Sequence, residues 1–110
     1  MAIDNTLYDS LENTYIKIQK FFDNNKLGPE HSAMIVKHEE LADLLERLDI
    51  EAIEEQSDDI NTLHEQLNDI KKDSNKIVED LKDVLDSITT ADKVVSGLDK
   101  IFSKVTHVIV

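Results

Sequence analysis

Four histidines are the residues with the strongest potential for general acid–base chemistry or for nitrogen ligation of a metal, because the chain contains no cysteine. Helical metal sites bring two ligands onto one face through Glu-x-x-His or His-x-x-x-His spacing. Neither spacing occurs in this sequence. We therefore expect no metal and no cofactor, and we expect ordinary surface or seam positions for His31, His38, His64 and His107.

Carboxylates four residues apart, such as Glu39 with Asp43 and Glu51 with Glu55, would touch on a helix and could form acid–base pairs. Catalysis requires a cleft that pushes the two pKa values apart, and a polar helical face provides none. The sequence also lacks a Gly-x-Ser-x-Gly nucleophile elbow and a glycine-rich phosphate loop. We therefore predict that the chain is not an enzyme.

Negative charge is concentrated in one part of the chain, whose formal net charge is −12. Residues 29–59 contain eleven carboxylates and two cations. Because this charge repels phosphate backbones, we expect no nucleic-acid partner. The segment predicts either a solvated helical face or a docking patch for a basic partner. The residues of this acidic patch are Glu39, Glu40, Asp43, Glu46, Glu51, Glu54, Glu55, Asp58 and Asp59.

The composition is that of a helical protein with few breaks. Two glycines and one proline occur in 110 residues, and this length suits one domain over residues 1–110. We predict an all-α fold: a three- or four-helix bundle with a long heptad-patterned, coiled-coil-like C-terminal half. No apolar run could span a membrane, and the first residues are acidic where a signal peptide is basic, so we expect a cytoplasmic protein.

Apolar residues three and four positions apart predict the first two helices. Helix 1 is expected over about residues 4–24, with Asp4 as its N-cap. Pro29 suits the first turn of helix 2, which is expected over about residues 30–48.

Beyond Ala52 the apolar residues that follow the three-and-four spacing are displaced by one position along the sequence. This displacement predicts a tight turn or kink within residues 48–59. Asp49 could cap a new helix there, and helix 3 is expected over about residues 50–88. A continuous helix with a local phase adjustment is the alternative.

A stripe of apolar residues at alternating spacings of three and four runs from Ile60 to Ile109. Fourteen of its fifteen positions are apolar, and Ser74 is the exception. This heptad periodicity predicts a helical face that other helices must cover. We interpret Ser74 as a packing accommodation or as a hydroxyl bonded to its own helix. The residues assigned to this core or interface stripe are Leu63, Leu67, Ile70, Ile77, Leu81, Val84, Ile88, Val95, Leu98, Phe102 and Val105.

The stripe widens on one side through Val78 and Leu85, and on the other side through Val94, Ile101 and Val108. A two-stranded coiled coil places charges at such flanking positions. A bundle of three or four helices therefore fits the pattern better.

The widening changes side within residues 86–92, where two threonines weaken the helix. Either the chain reverses near Thr89, with Thr90 capping a helix 4 over about residues 90–109, or one long helix continues. The long helix would require an oligomer to cover it. Gly97 falls on the predicted outer face, where it would mark a bend or a contact point.

The segment LERLDIEAIEEQSDDINTLHEQL, residues 45–67, resembles the helical turn of small bacterial export chaperones of the flagellar type. Those chaperones are acidic helical bundles that hold a partner's helix, and the resemblance implies chaperone-like binding. It is confined to these residues.

The length of the stripe favours a non-enzymatic helical interaction module, adaptor-like or chaperone-like. Its partner would be a helix of another protein or a second copy of the chain, and we expect a homo-oligomer. One alternative is a membrane-surface protein that uses the amphipathic helix of residues 90–110. Another is a small acidic neutraliser of a basic partner, of the immunity-protein or antitoxin type, that uses the acidic patch.

Overall fold

Helices make up most of residues 6–109, and the all-α prediction is confirmed. The computed structural model describes residues 6–109, and the side chains of residues 7–108. Within residues 6–109 there are five α-helices and one short 3-10 turn, and there is no strand. The predicted N-cap Asp4 lies outside the described residues. The elements are α1 (Thr6–Asn24), the 3-10 turn Pro29–His31, α2 (Ser32–Arg47), α3 (Ile50–Gln56), α4 (Ile60–Lys82) and α5 (Ser87–Ile109).

The four long helices α1, α2, α4 and α5 pack side by side in a ring around a shared core. Helix α1 lies against α2 and α4, and α5 lies against the other sides of the same two helices. The short helix α3 joins α2 to α4, which face each other across the ring. It therefore crosses one end of an elongated body of 45 × 21 × 18 Å.

Helix 3 does not run through residues 50–88, and the prediction of one helix there is wrong. Asp49 caps α3 as the sequence predicts, since its carboxylate accepts a hydrogen bond from the Ala52 amide at 3.0 Å. A second break, at residues 57–59, then separates α3 from α4. Residues 50–82 of the predicted helix 3 are therefore two helices joined by a turn.

The same arrangement begins both α4 and α5. Asp59 accepts hydrogen bonds from the amide and the hydroxyl of Thr62, at 3.2 and 2.8 Å. Asp86 accepts from the amide of Ile88 at 2.9 Å and from the hydroxyl of Thr89 at 3.2 Å. These bonds satisfy amides that the helix itself leaves free. The Thr62 hydroxyl contributes most to the lowered pKa of Asp59, and the Ile88 amide contributes most to the lowered pKa of Asp86.

The chain reverses between α4 and α5, in a turn at residues 83–86. Helix α5 begins at Ser87, and its cap is Asp86 rather than the predicted Thr90, which is buried. The two helices pack against each other along their lengths. A single long helix is therefore excluded, and each half of the apolar stripe covers the other.

Gly97 faces α4, so its predicted place on the outer face is wrong. A Cβ atom at this position would lie 2.7 Å from Cγ1 of Ile77, well inside van der Waals contact. Beyond this contact, Lys104 and Asp73 join α5 to α4 through an ion pair with an N–O distance of 2.6 Å. The close approach of the helices accounts for a glycine that costs about 1 kcal/mol in a helix interior.

Candidate interaction surfaces

Most of the stripe predicted from the sequence forms the core of the folded chain. Helices α1, α2, α4 and α5 cover it together. Ile88 differs, with 42% of its surface exposed. The buried stripe residues are Leu63, Leu67, Ile70, Ile77, Leu98 and Val105, and the partly buried ones are Leu81, Val84, Val95 and Phe102. The stripe alone therefore does not require a second copy of the chain.

The buried face of α5 is rotated toward the widened side of the stripe that the heptads predict. Val94 and Ile101, on the widened side, are fully buried, whereas Val95 and Phe102, on the stripe itself, are partly exposed. The cause is that α5 packs against both α4 and α2, so its buried face is centred between them. The ammonium group of Lys37 on α2 lies 5.7 Å from the ring of Phe102.

Ser74 belongs to a buried cluster of hydroxyl groups between α1 and α4. Its hydroxyl donates to the backbone carbonyl of Ser10 at 3.0 Å, and the Thr14 hydroxyl contacts the Ser74 hydroxyl. The bond crosses to the neighbouring helix instead of returning to its own. A shift of α1 along α4 would leave buried hydroxyls unpaired, so the cluster fixes the axial position of the two helices.

His38 lies in an aromatic cluster between α1 and α2. Its ring stacks on Tyr15 with centroids 4.1 Å apart, and it meets the ring of Phe22 edge-on at 5.1 Å. Its Nε2 atom lies 3.2 Å from the carbonyl oxygen of Tyr15. Burial lowers the pKa of His38, and the Tyr15 carbonyl and the Glu39 carboxylate offset this only in part. The cluster therefore favours a neutral imidazole.

Acidification should remove the stability that neutral His38 provides. The unfolded chain binds a proton at this residue more readily than the folded one, so the contribution is complete above about pH 6.5 and is lost as the pH falls toward the folded-state pKa. We expect the melting temperature of the wild type to fall more between about pH 7 and pH 5 than that of His38→Phe, which keeps an aromatic ring.

His107→Gln is the matched control, because His107 is exposed and its variant should keep the wild-type pH dependence. All three proteins have the same carboxylates. A difference in the pH dependence of the melting temperature between the wild type and His38→Phe is therefore due to His38. An identical pH dependence in the wild type and His38→Phe would show that the stacked imidazole is not responsible.

The remaining histidines have local roles or face solvent. The Gly28 amide donates to Nδ1 of His31 at 3.0 Å, which stabilises the 3-10 turn. Nε2 of His64 lies 3.2 Å from the Glu54 carboxylate, and His107 is exposed. Among the side chains of residues 7–108, no group of three or more His, Asp and Glu residues is arranged to hold a metal ion.

The acidic patch is exposed except at Glu54, which turns inward and has 9% of its surface exposed. Glu40 pairs with Lys37 at 3.5 Å, and Asp59 is occupied as the cap of α4. The six other patch carboxylates are exposed and form no ion pair with any residue in the described part of the chain: Glu39, Asp43, Glu46, Glu51, Glu55 and Asp58. The outer faces of α2 and α3 therefore carry a large excess of negative charge.

A groove of about 320 Å³ runs between the C-terminal halves of α1 and α4. It is lined by the apolar residues Phe21, Val78, Leu81 and Val84 and by the polar residues Lys17, Lys20, Asn24, Asn25 and Lys82. Leu85 follows directly in the turn after α4 and is 92% exposed. Of the two residues that widen the stripe here, Val78 lines this groove and Leu85 lies beside it, next to Val84. We call it the α1–α4 groove.

Comparisons of this chain with models of protein families, with curated proteins and with solved structures found no match. The resemblance of residues 45–67 to export chaperones therefore depends on the sequence pattern alone. None of the helices within residues 6–109 combines the length and the apolar character needed to cross a membrane.

Proposed function

We propose that this chain is a non-enzymatic helical interaction module, built as a four-helix bundle with a coiled-coil-like seam between α4 and α5, that binds a helix of a partner protein. The observation that supports this most directly is the α1–α4 groove, where Val78 and Leu81 are only partly buried. Leu85, the residue after the groove-lining Val84, is exposed beside it. Apolar residues left accessible beside a groove are typical of binding surfaces. A groove between two helices accepts the apolar face of a third.

A partner's helix is better supported than a second copy of the chain. The expected homo-oligomer depended on a stripe too long for two other helices to cover, and the reversal at residues 83–86 covers most of it. Membrane binding through the last helix loses support for a related reason. Leu98 and Ile101 are fully buried, and lipid binding through α5 would remove them from the core.

The test is affinity purification from the native host with the wild type, Leu85→Lys and Val36→Lys as baits. The two replaced side chains are 92% and 52% exposed, so neither substitution should disturb the core. We expect the wild type and Val36→Lys to retain the same partner and Leu85→Lys to lose most of it. Light scattering should give the mass of a monomer for the isolated protein.

Two results would contradict this proposal. One is the absence of any specific partner from the wild-type preparation. The other is equal retention of the partner by all three baits. A stable dimer that dissociates with Leu85→Lys would replace the partner helix with a second copy of the chain.

The acidic patch favours a second candidate, the neutraliser of a basic partner. Six of its carboxylates are exposed and unpaired within residues 7–108. Attraction between exposed charges is screened over about 8 Å at physiological ionic strength. The same purification distinguishes the candidates, since partner capture that survives Leu85→Lys but is lost at high salt would support the patch instead of the groove.

A further inference from the structure

The α1–α4 groove is positively charged in a protein whose formal net charge is −12. Lys17 and Lys20 on α1 and Lys82 on α4 line it, and its lining includes no carboxylate. By contrast, a larger pocket of about 480 Å³ at the opposite end of α4 contains Asp49 and Asp59. The pockets beside α5 also contain aspartates.

The charges of these lysines are available to a ligand. Lys17 and Lys20 form no ion pair within the part of the chain that the structure describes, and Lys82 has an exposed contact with Glu79 at 3.7 Å. Exposed pairs of this kind contribute little, because water and salt screen them. Carboxylates of a ligand could therefore take the place of Glu79 at small cost.

The dimensions of the groove suit a single helix. Its lining on α1 extends from Lys17 to Asn24, which corresponds to about 10 Å or two helical turns. Two turns of an amphipathic helix present apolar side chains at positions i, i+3 or i+4, and i+7. These would contact Val78 and Leu81, which are partly exposed in the groove, and the flanking positions would lie beside the lysines.

An anionic membrane offers the same charge as an acidic helix but has a different shape. A flat surface would also approach neighbouring carboxylates, and a chain with a formal net charge of −12 is repelled by anionic lipid. One helix can enter the groove without approaching the outer faces of α2 and α3. The geometry therefore favours a peptide over a lipid surface.

We propose that the α1–α4 groove binds an acidic amphipathic helix, with the apolar face on Val78 and Leu81 and carboxylates beside Lys17, Lys20 and Lys82. This inference rests on the proposed function and specifies the chemistry of the partner. The excess of negative charge elsewhere then disfavours nonspecific acidic ligands, so that affinity depends on the groove itself.

The experiment uses two labelled synthetic peptides about five helical turns long, with the same leucine face and with either glutamate or lysine at the flanking positions. Fluorescence anisotropy measures their binding to the wild type, to Lys17→Glu/Lys20→Glu, and to Lys93→Glu/Lys100→Glu. Both double variants change the net charge equally, and the control lysines are exposed on α5, which does not border the groove.

The glutamate peptide should bind the wild type and the α5 control with affinities within about twofold of each other, and should bind the groove variant about tenfold more weakly. Circular dichroism would establish that all three proteins are equally helical. Equal losses in the two double variants would overturn the inference, as would binding of the lysine peptide alone.

Vesicles of phosphatidylserine and phosphatidylcholine provide the lipid arm of the test. Cosedimentation of the wild type but not of the groove variant would overturn the inference in favour of an anionic surface. If a native partner depends on Leu85 while the glutamate peptide fails to bind, the proposed function stands and the acidic-helix inference fails.

Discussion

Replacing Leu98 by alanine is expected to lower the free energy of unfolding by about 2–5 kcal/mol. Leu98 is fully buried on the face of α5 that packs into the ring of helices. The substitution removes apolar contacts and leaves a cavity that the surrounding side chains fill only in part. Because domains of this size have total stabilities of about 5–15 kcal/mol, the loss would be a large share of the whole.

Leu85→Ala is the matched control, since it makes the same chemical change at a leucine that is 92% exposed. We expect its effect to be within about 0.5 kcal/mol. Urea denaturation followed by circular dichroism measures both variants, with the midpoint reporting stability if the slope is unchanged. A small effect of Leu98→Ala would mean that α5 does not fold back onto α4.

Replacing Gly97 by valine is expected to destabilise the protein by about 1–3 kcal/mol. Glycine is an unfavourable residue in a helix interior, so helix propensity alone predicts the opposite sign. The contact with Ile77 decides the outcome, because even a Cβ atom would lie 2.7 Å from its Cγ1. Ile77 is itself buried, so it has little room to move.

Ser96→Val provides the control for Gly97, because it places the same side chain at the neighbouring exposed position. Its effect should be within about 0.5 kcal/mol. Ile77→Ala should relieve the clash, and a double-mutant cycle in urea should give a favourable coupling of about 0.5–3 kcal/mol between the two substitutions. Stabilisation by Gly97→Val alone would show that the helices are not in close contact there.

Periodicity was sufficient to predict that Leu63, Leu67 and Ile70 are buried, because residues at this spacing share one helical face. It could not identify what covers that face, since an apolar stripe suits a helix of the same chain as well as one of another chain. The choice between a reversal and a long helix depended on the turn at residues 83–86. That turn contains neither glycine nor proline, so it gave no strong signal.

The sequence also contains a weaker signal for the residues at which α4 and α5 begin. Asp59 and Asp86 are each followed three residues later by a threonine, and in both cases the threonine hydroxyl bonds to the aspartate carboxylate. This spacing is a capping signal, because it joins a good N-cap residue to the first turn of a helix. The helix predicted over residues 50–88 included both of these capping positions.

The acidic patch could be predicted from the sequence, whereas the groove could not. Runs of carboxylates are visible directly, although they do not show that Glu54 is buried and contacts His64 from another helix. The groove combines Lys17 and Lys20 with residues about sixty positions away on α4. The spacing of residues along the sequence does not show which helices pack together. The sequence alone therefore could not indicate that these lysines line a groove.

Helix α1 uses one side to hold the fold together and another to form the groove. Leu11 and Thr14 are buried against the rest of the chain, while Lys20 is exposed at the rim. Substitutions at exposed positions typically change stability by less than about 0.5 kcal/mol. Partner preference could therefore diverge through single charge changes at the rim, and one architecture could be retained while its binding specificity evolves.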